Sequence, residues 1–438
     1  MKTKRIIALA IALVMCLPSI AFANSQTVNG NGALVSTNPN ESVKAAISKN
    51  LQMPIGTPTP NTVFSFHAKG ISVNGNTSKE IVDDMPDLSK NLTVAFSSDD
   101  RREPNADTNV ISIVKETKNI FEDVVFDEPG IYIYEITEVQ ATSNGIENNK
   151  PYEQVTFSKA VYTMRVYVAW NSDRSATIIY GVGTYVSAPD ISGEQGVDKK
   201  IDATPGEDSD KYDYSQLIFT NNYIKTNAPI DPERPDPVNE STLYISKLVT
   251  GNMGSLTQYF ELEIELKVPD IMGERPQLYR AYIVEGDKVI HPRDNVMTGA
   301  MLGVDEGGTF ISVPANGAIK FKLKDDQRLV FVDTPIGTSY TAKEKIEEDY
   351  IQTVQVTTNA IAGGIISREG DNPLLSTGPQ FVGDKLNRAV FTANRESAAP
   401  MGIDVNNLPF IGLILLTMGA LVGFVLVKSR RRKYETGQ

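Results

Sequence analysis

Apolar and polar residues alternate with a period of two along much of this chain, the pattern of strands that bury one face. Residues 63–67, 131–136, 161–168 and 176–180 are rich in β-branched and aromatic side chains and follow this alternation. Asn171, Ser172, Asp173 and Arg174 separate the last two runs and predict a hairpin loop. Further along, 243–247, 259–267, 319–323 and 351–356 repeat the pattern. Long helical periodicity is confined to the two ends, and one short helix per half is expected, for instance over 106–117. Short strands with frequent turn signals predict an all-β chain of two tandem Ig-like β-sandwich domains. A stretch containing Pro229, Pro232, Pro235 and Pro237 has no apolar periodicity. It reads as an extended, semi-rigid spacer over 226–240, dividing a first sandwich at 41–225 from a second at 241–397. Residues 24–40 are polar and read as a loose N-terminal segment.

The ends add a compartment. Lys2, Lys4 and Arg5 precede an apolar run, and Ala21-Phe22-Ala23 has the small-x-small form of a cleavage site. This predicts a signal peptide over 1–23 and a mature start at Asn24. Residues 408–427 form a 20-residue run without a charged side chain, followed by Lys428, Arg430, Arg431, Arg432 and Lys433. Such a run spans roughly 30 Å as a helix, the thickness of a bilayer core. The basic cluster sets the C-terminus in the cytoplasm. The expectation is an exported protein retained at the cell surface through a C-terminal transmembrane helix. Its one cysteine, Cys16, lies within the predicted signal peptide, so no disulfide is available to the exported part. The formal net charge of −12 argues against a nucleic-acid partner and against a basic membrane-surface patch.

The two halves share an ordered set of residues. Each opens with Ile-Ser-Lys, at Ile47-Ser48-Lys49 and Ile245-Ser246-Lys247. Each has a later Tyr-x-x-x-Glu, Tyr134 to Glu138 and Tyr340 to Glu344, shortly after a glycine (Gly130, Gly337). Each ends in Phe-Thr followed by asparagine, Phe219-Thr220-Asn221 and Phe391-Thr392-Ala393-Asn394. Alone, a strand lysine ordinarily faces solvent and an asparagine near a strand end ordinarily makes a turn; the ordered repetition points to two related domains. Lys, Glu and Asn in one β core permit an amine to attack a side-chain amide, expel ammonia and leave an isopeptide bond. Burial favours the neutral amine and the protonated carboxyl that this needs. A rigid fold supplies the high effective molarity. No cofactor is required and no turnover follows, so the chain is not expected to be an enzyme. Only two histidines, His67 and His291, are present, and no metal-ligand cluster, serine-nucleophile elbow or phosphate loop is evident.

The first half resembles the pilin isopeptide-linkage domain of Gram-positive surface proteins. The likeness runs through Phe64-Ser65-Phe66, the segment from Gly130 to Glu138, that from Tyr162 to Val168, and Phe219-Thr220-Asn221. The second half is similar to the companion β-sandwich that precedes the sorting signal in such proteins, including streptococcal backbone pilins. The resemblance implies Lys49 as nucleophile, Glu138 as proton shuttle and Asn221 as acceptor, with Lys247 and Glu344 in the same roles in the second domain. There the family pattern departs, because Ala393 stands at the expected acceptor position. Asn394 is the remaining candidate, although strand alternation turns it to the opposite face unless a bulge re-aims it. The resemblance further implies a sortase-type sorting signal over 398–438. A transpeptidase would act near Pro400-Met401-Gly402, where Met401 replaces the family's threonine, and would join the chain to peptidoglycan or to other pilin subunits. Lys211 is the candidate polymerisation lysine, against the ordinary reading of a solvated side chain. The expected function is therefore a structural surface protein, a pilin subunit or wall-anchored stalk. The alternative is an adhesin that binds a host protein or glycan and is held by its transmembrane helix.

Overall fold

The computed structural model describes residues 26–29, 33–101, 109–148, 153–189, 196–206, 213–227, 233–269, 271, 278–297 and 300–397, with Ile414, Leu416, Thr417 and Ala420 in the tail. The predicted signal peptide, Lys211, the Pro400-Met401-Gly402 region and most of 408–427 lie outside the described residues. Among the described residues, no helix is long and apolar enough to cross a membrane.

The chain is built of strands, arranged as two pairs of sheets. In the first pair, the opening strand Ser48–Pro54 lies between Val110–Glu116, which is antiparallel to it, and the closing strand Ile218–Lys225, which is parallel. Glu153–Thr156 flanks the closing strand. The facing sheet is formed around Thr62–Val73, Gly130–Thr142, Val161–Trp170 and Thr177–Ala188. Alternating residues from both sheets meet in one core that includes Leu51, Met53, Phe64, Phe66, Ile136, Met164, Val166 and Phe219. Aromatic rings lock it: Phe66 and Phe219 lie 4.9 Å apart, and Tyr162 meets Phe219 edge-on at 5.2 Å.

The second pair repeats this plan. Leu243–Thr250 pairs in parallel with Arg388–Asn394, and the latter pairs antiparallel with Ile351–Thr358. The facing sheet contains Asn316–Leu323, Phe260–Lys267 and Ser339–Lys345. Phe260–Lys267 buries Phe260, Leu262, Ile264 and Leu266 and turns its glutamates outward, where Glu263 pairs with Lys343 at 3.4 Å.

The expected helix over 106–117 is corrected. Val110–Glu116 is a strand that hydrogen-bonds along the whole of Ser48–Pro54. Its Val-Ile-Ser-Ile-Val sequence carries β-branched side chains that fit a pleated surface better than a helix. The described α-helix in this half is instead the five-residue Lys79–Asp83.

Direct contacts join the two sheet pairs. The carbonyl of Lys225, which ends the closing strand, accepts the Ile336 N–H at 2.9 Å, and its ammonium pairs with Asp384 at 3.1 Å. Gly337 has φ +81°, and a Cβ there would come within 2.3 Å of Pro54 Cβ at the end of the opening strand. Only glycine allows both that backbone conformation and that approach.

Candidate functional site

Parity along the strands decides which side chains meet. Lys49 is paired in register with Phe219, so Asn221, two residues further along the closing strand, shares its face. Glu138 comes from the facing sheet, on a strand paired with Thr62–Val73 so that Glu138 lies opposite Phe66. The three residues converge in the core. Lys49 Nζ is 2.6 Å from Glu138 Oε1, with both side chains wholly buried. Asn221 Nδ2 donates to the same oxygen at 2.8 Å. The Ser158 N–H donates to Asn221 Oδ1 at 2.8 Å and also reaches Glu138 Oε2 at 3.1 Å. The Phe64 ring covers the amine, its centroid 4.9 Å from Nζ.

Burial pushes the Glu138 carboxyl above its ordinary value, and it wins over the opposing effects of Lys49 and of the hydrogen bonds from Lys49, Asn221 and Ser158. This shift works toward the protonated carboxyl, and in the structure both Glu138 oxygens accept hydrogen bonds, from the Asn221 amide nitrogen and from the Ser158 N–H. The Ser158 N–H is aimed at the oxygen on which charge would gather during attack on the Asn221 carbonyl. The arrangement thus sets an amine, a carboxyl group, a carboxamide and a backbone N–H in mutual contact. Ser158 and Phe64 carry no role in the sequence reading, although Phe64 stands in one of its motifs. A backbone donor has no side-chain signature from which to read it.

The second unit places Lys247 and Glu344 in the same relation. Lys247 lies in register with Phe391, and its ammonium pairs with Glu344 Oε1, both side chains wholly buried. The Phe260 ring centroid is 3.9 Å from Nζ. Burial lowers the Lys247 pKa and raises that of Glu344, each against the attraction of the other. Ala393 occupies the position that Asn221 holds in the first unit: Leu51 is the register partner of Asn221, and Val249 that of Ala393. The structure does not bring Asn394 to this pair. It is the register partner of Thr250, and its Oδ1 accepts from Thr250 Oγ1 at 3.0 Å. The site instead contains Gln352, whose Nε2 donates to Glu344 Oε2 at 2.6 Å. Gln352 falls in phase with the buried Val354 and Val356 of its strand, so a polar residue on an apolar face was its legible signal.

His67 and His291 are exposed and stand apart from both clusters.

Residues 241–372 match a family described as a domain of unknown function, DUF7601. A pilin of Streptococcus pyogenes serotype M1 is 21% identical over 390 residues, covering 88% of this chain and 91% of the relative. Among solved structures, the major pilin from Streptococcus pyogenes is 18% identical and covers 82% of this chain and 100% of its own, with a TM-score of 0.30. The T3.2 major pilin of the same species is also 18% identical, covering 81% and 99%, with a TM-score of 0.29. In sequence, the chain is pilin-like over most of its length.

Proposed function

We propose that this chain is an exported structural surface protein of a Gram-positive bacterium, a pilin subunit or wall-anchored stalk, whose first unit locks itself with an isopeptide bond between Lys49 and Asn221. The observation that carries the reading is the buried Lys49–Glu138–Asn221 cluster, with Ser158 N–H on the amide oxygen. The similarity to a streptococcal pilin supports the surface role.

The reaction begins when the paired amine and carboxylate exchange their proton, giving a neutral Lys49 and a protonated Glu138. Lys49 Nζ attacks Cγ of Asn221 while the Ser158 N–H holds the developing oxyanion. Glu138 receives a proton from the attacking nitrogen and delivers one to the departing nitrogen. The Nζ–Cγ bond forms, the Cγ–Nδ2 bond breaks, and ammonia leaves. Fixing the groups in contact replaces a bimolecular encounter.

The bond would join the first and last strands of the core. It restricts the unfolded chain as a long-loop disulfide does, worth about 4–5 kcal/mol in the entropic account, and reductant does not open it. Linkage to the wall or to further subunits would follow transpeptidation near Pro400-Met401-Gly402, with Lys211 as the candidate acceptor in a polymer.

Intact mass tests the bond. The purified chain is expected to be lighter by one ammonia for the Lys49–Asn221 link, and proteolysis to yield one branched peptide containing both residues. Glu138→Ala should restore that ammonia, with circular dichroism checking that the variant is folded. Recovery of Lys49 and Asn221 in separate, unmodified peptides from the folded wild-type chain would refute the proposal. At the surface, ladders resistant to denaturing gels would mark a polymer, and a single wall-linked band a stalk.

A further inference from the structure

The second unit lacks the asparagine of the first but holds a carboxamide in a related setting, with amine and amide nitrogen on opposite oxygens of the glutamate and not on one. In the first unit the amide oxygen of Asn221 accepts a backbone N–H, from Ser158, while its nitrogen donates to Glu138. In the second, the amide oxygen of Gln352 accepts the Glu347 N–H at 2.6 Å, while its nitrogen donates to Glu344 at 2.6 Å. That nitrogen also donates to the Lys345 carbonyl at 3.1 Å, which fixes the orientation of the amide. Lys247 sits on the other oxygen of Glu344. Amine, carboxyl and carboxamide therefore meet through one carboxyl group in each unit, and an aromatic ring covers each amine.

The strand register shows how the exchange is accommodated. Ala393 is paired with Val249 on one side and with Gln352 on the other. In the first unit the pairing of Asn222 with Thr156, continued by one residue, sets Phe157 beside Asn221. The first core thus holds a carboxamide next to a large apolar ring, and the second a methyl next to a carboxamide. Gln352 starts one strand farther from the lysine, and it is longer than asparagine by one methylene. Ala393, the register partner of Gln352, is wholly buried and carries only a methyl group. Gln352 is itself 5% exposed.

We propose that Gln352 is the acceptor of a second isopeptide bond, formed between Lys247 Nζ and Gln352 Cδ. The proposal rests on the chemistry proposed for the first unit, with glutamine in place of asparagine. Lys247 attacks Cδ as the neutral amine, the Glu347 N–H holds the oxyanion, and Glu344 carries the proton from the attacking to the departing nitrogen. The Nζ–Cδ bond forms, the Cδ–Nε2 bond breaks, and ammonia is released. No oxidant, metal or cofactor takes part in the balance.

Peptide mapping of the folded full-length chain, read beside its intact mass, tests this separately from the first bond. The expected result is a branched peptide joining Lys247 to Gln352, with the chain lighter by a second ammonia. Gln352→Met, similar in volume, should restore that second ammonia and leave the Lys49–Asn221 peptide in place. Recovery of Lys247 and Gln352 in separate unmodified peptides would overturn the proposal while leaving the first bond standing, and so would a branched peptide joining Lys247 to Asn394. A Lys247–Gln352 peptide without a Lys49–Asn221 peptide would support this inference and sink the reading of the first unit. The wild-type map decides even where the variant fails to fold.

Discussion

An amine and a carboxyl group in a dry core share their proton, and this sets how the reaction should respond to pH. The ion pair and the neutral pair of Lys247 and Glu344 hold the same number of protons, so their ratio is fixed by the site and not by the solution. Burial works against both ions and so toward the neutral pair, while the attraction between the two charges and the pull of the Phe260 ring on the ammonium favour the ion pair. The shifts agree in sign, Glu344 raised and Lys247 lowered, with burial the leading cause for each. As pH falls through the titration of the carboxyl, a second proton leaves the amine charged and unable to attack. As pH rises through the titration of the lysine, the shared proton is gone and the carboxylate has none to give. The rate of bond formation as the chain first folds should therefore be flat around neutrality and fall on both sides. The two limbs belong to the pair as a whole. The alkaline limb should begin below the ordinary lysine range, because burial lowers Lys247. Time-resolved mass spectrometry at stepped pH measures this, on chain made and kept unfolded so that its bonds have not yet formed. A rate that climbs steadily to the ordinary lysine pKa would mean that the carboxyl takes no part as an acid.

At the level of elements, the strands and the phase of their side chains were largely legible, whereas the partners of each strand were not. The repeated motifs singled out Lys49, Glu138 and Asn221, which the structure sets on strands, and strand alternation turned Asn394 away from Lys247, as observed. In the structure Gln352 falls on the buried face with Val354 and Val356. The bridging role of Gln352 went unread because it needs the neighbour across the sheet, Ala393, and the glutamate of the opposite sheet. The parallel pairing of first and last strands rests on a crossover spanning the whole unit, which no local pattern encodes. The stretch Val110–Glu116 misled because its apolar residues are dense enough to fit either period, and the edge of the opening strand decided the outcome. Gly337 shows a second limit. Its place shortly before the Tyr340 to Glu344 motif gave no sign of a packing role, yet it permits Pro54 of the other unit to approach. Gly337→Ala should force a left-handed alanine and a clash, at a cost on the order of 1–3 kcal/mol. A lowered urea midpoint for the second unit is expected, and an unchanged midpoint would show that the junction opens without resistance.

Across the whole molecule, the two proposed bonds route tension differently, because their acceptors sit at different distances from the ends of their units. Force entering at Ser48 passes through Lys49 to Asn221 and leaves within a few residues, at Lys225. Almost none of the first unit lies in that path. In the second unit, force passes from Lys247 to Gln352, but the chain then continues through Ile361–Ser367 and back along Arg388–Asn394 before it leaves. The segment after Gln352 stays in the load path while everything between Lys247 and Gln352 is shielded. At about 3.3–3.6 Å per residue, the loaded segment would release roughly 140 Å of chain, against roughly 500 Å for the whole unit without a bond. Single-molecule stretching of the full chain should therefore show a silent first unit and one short extension from the second. Glu344→Ala should convert the short extension to the long one, and Glu138→Ala should add a long extension from the first unit. A long extension from the second unit of the wild-type chain would show that Lys247 and Gln352 are not joined. Complete silence of both units would place the second acceptor near the end of Arg388–Asn394, against the register that holds Ala393 there. The length released is thus a ruler for the position of the acceptor, read without proteolysis or mass measurement.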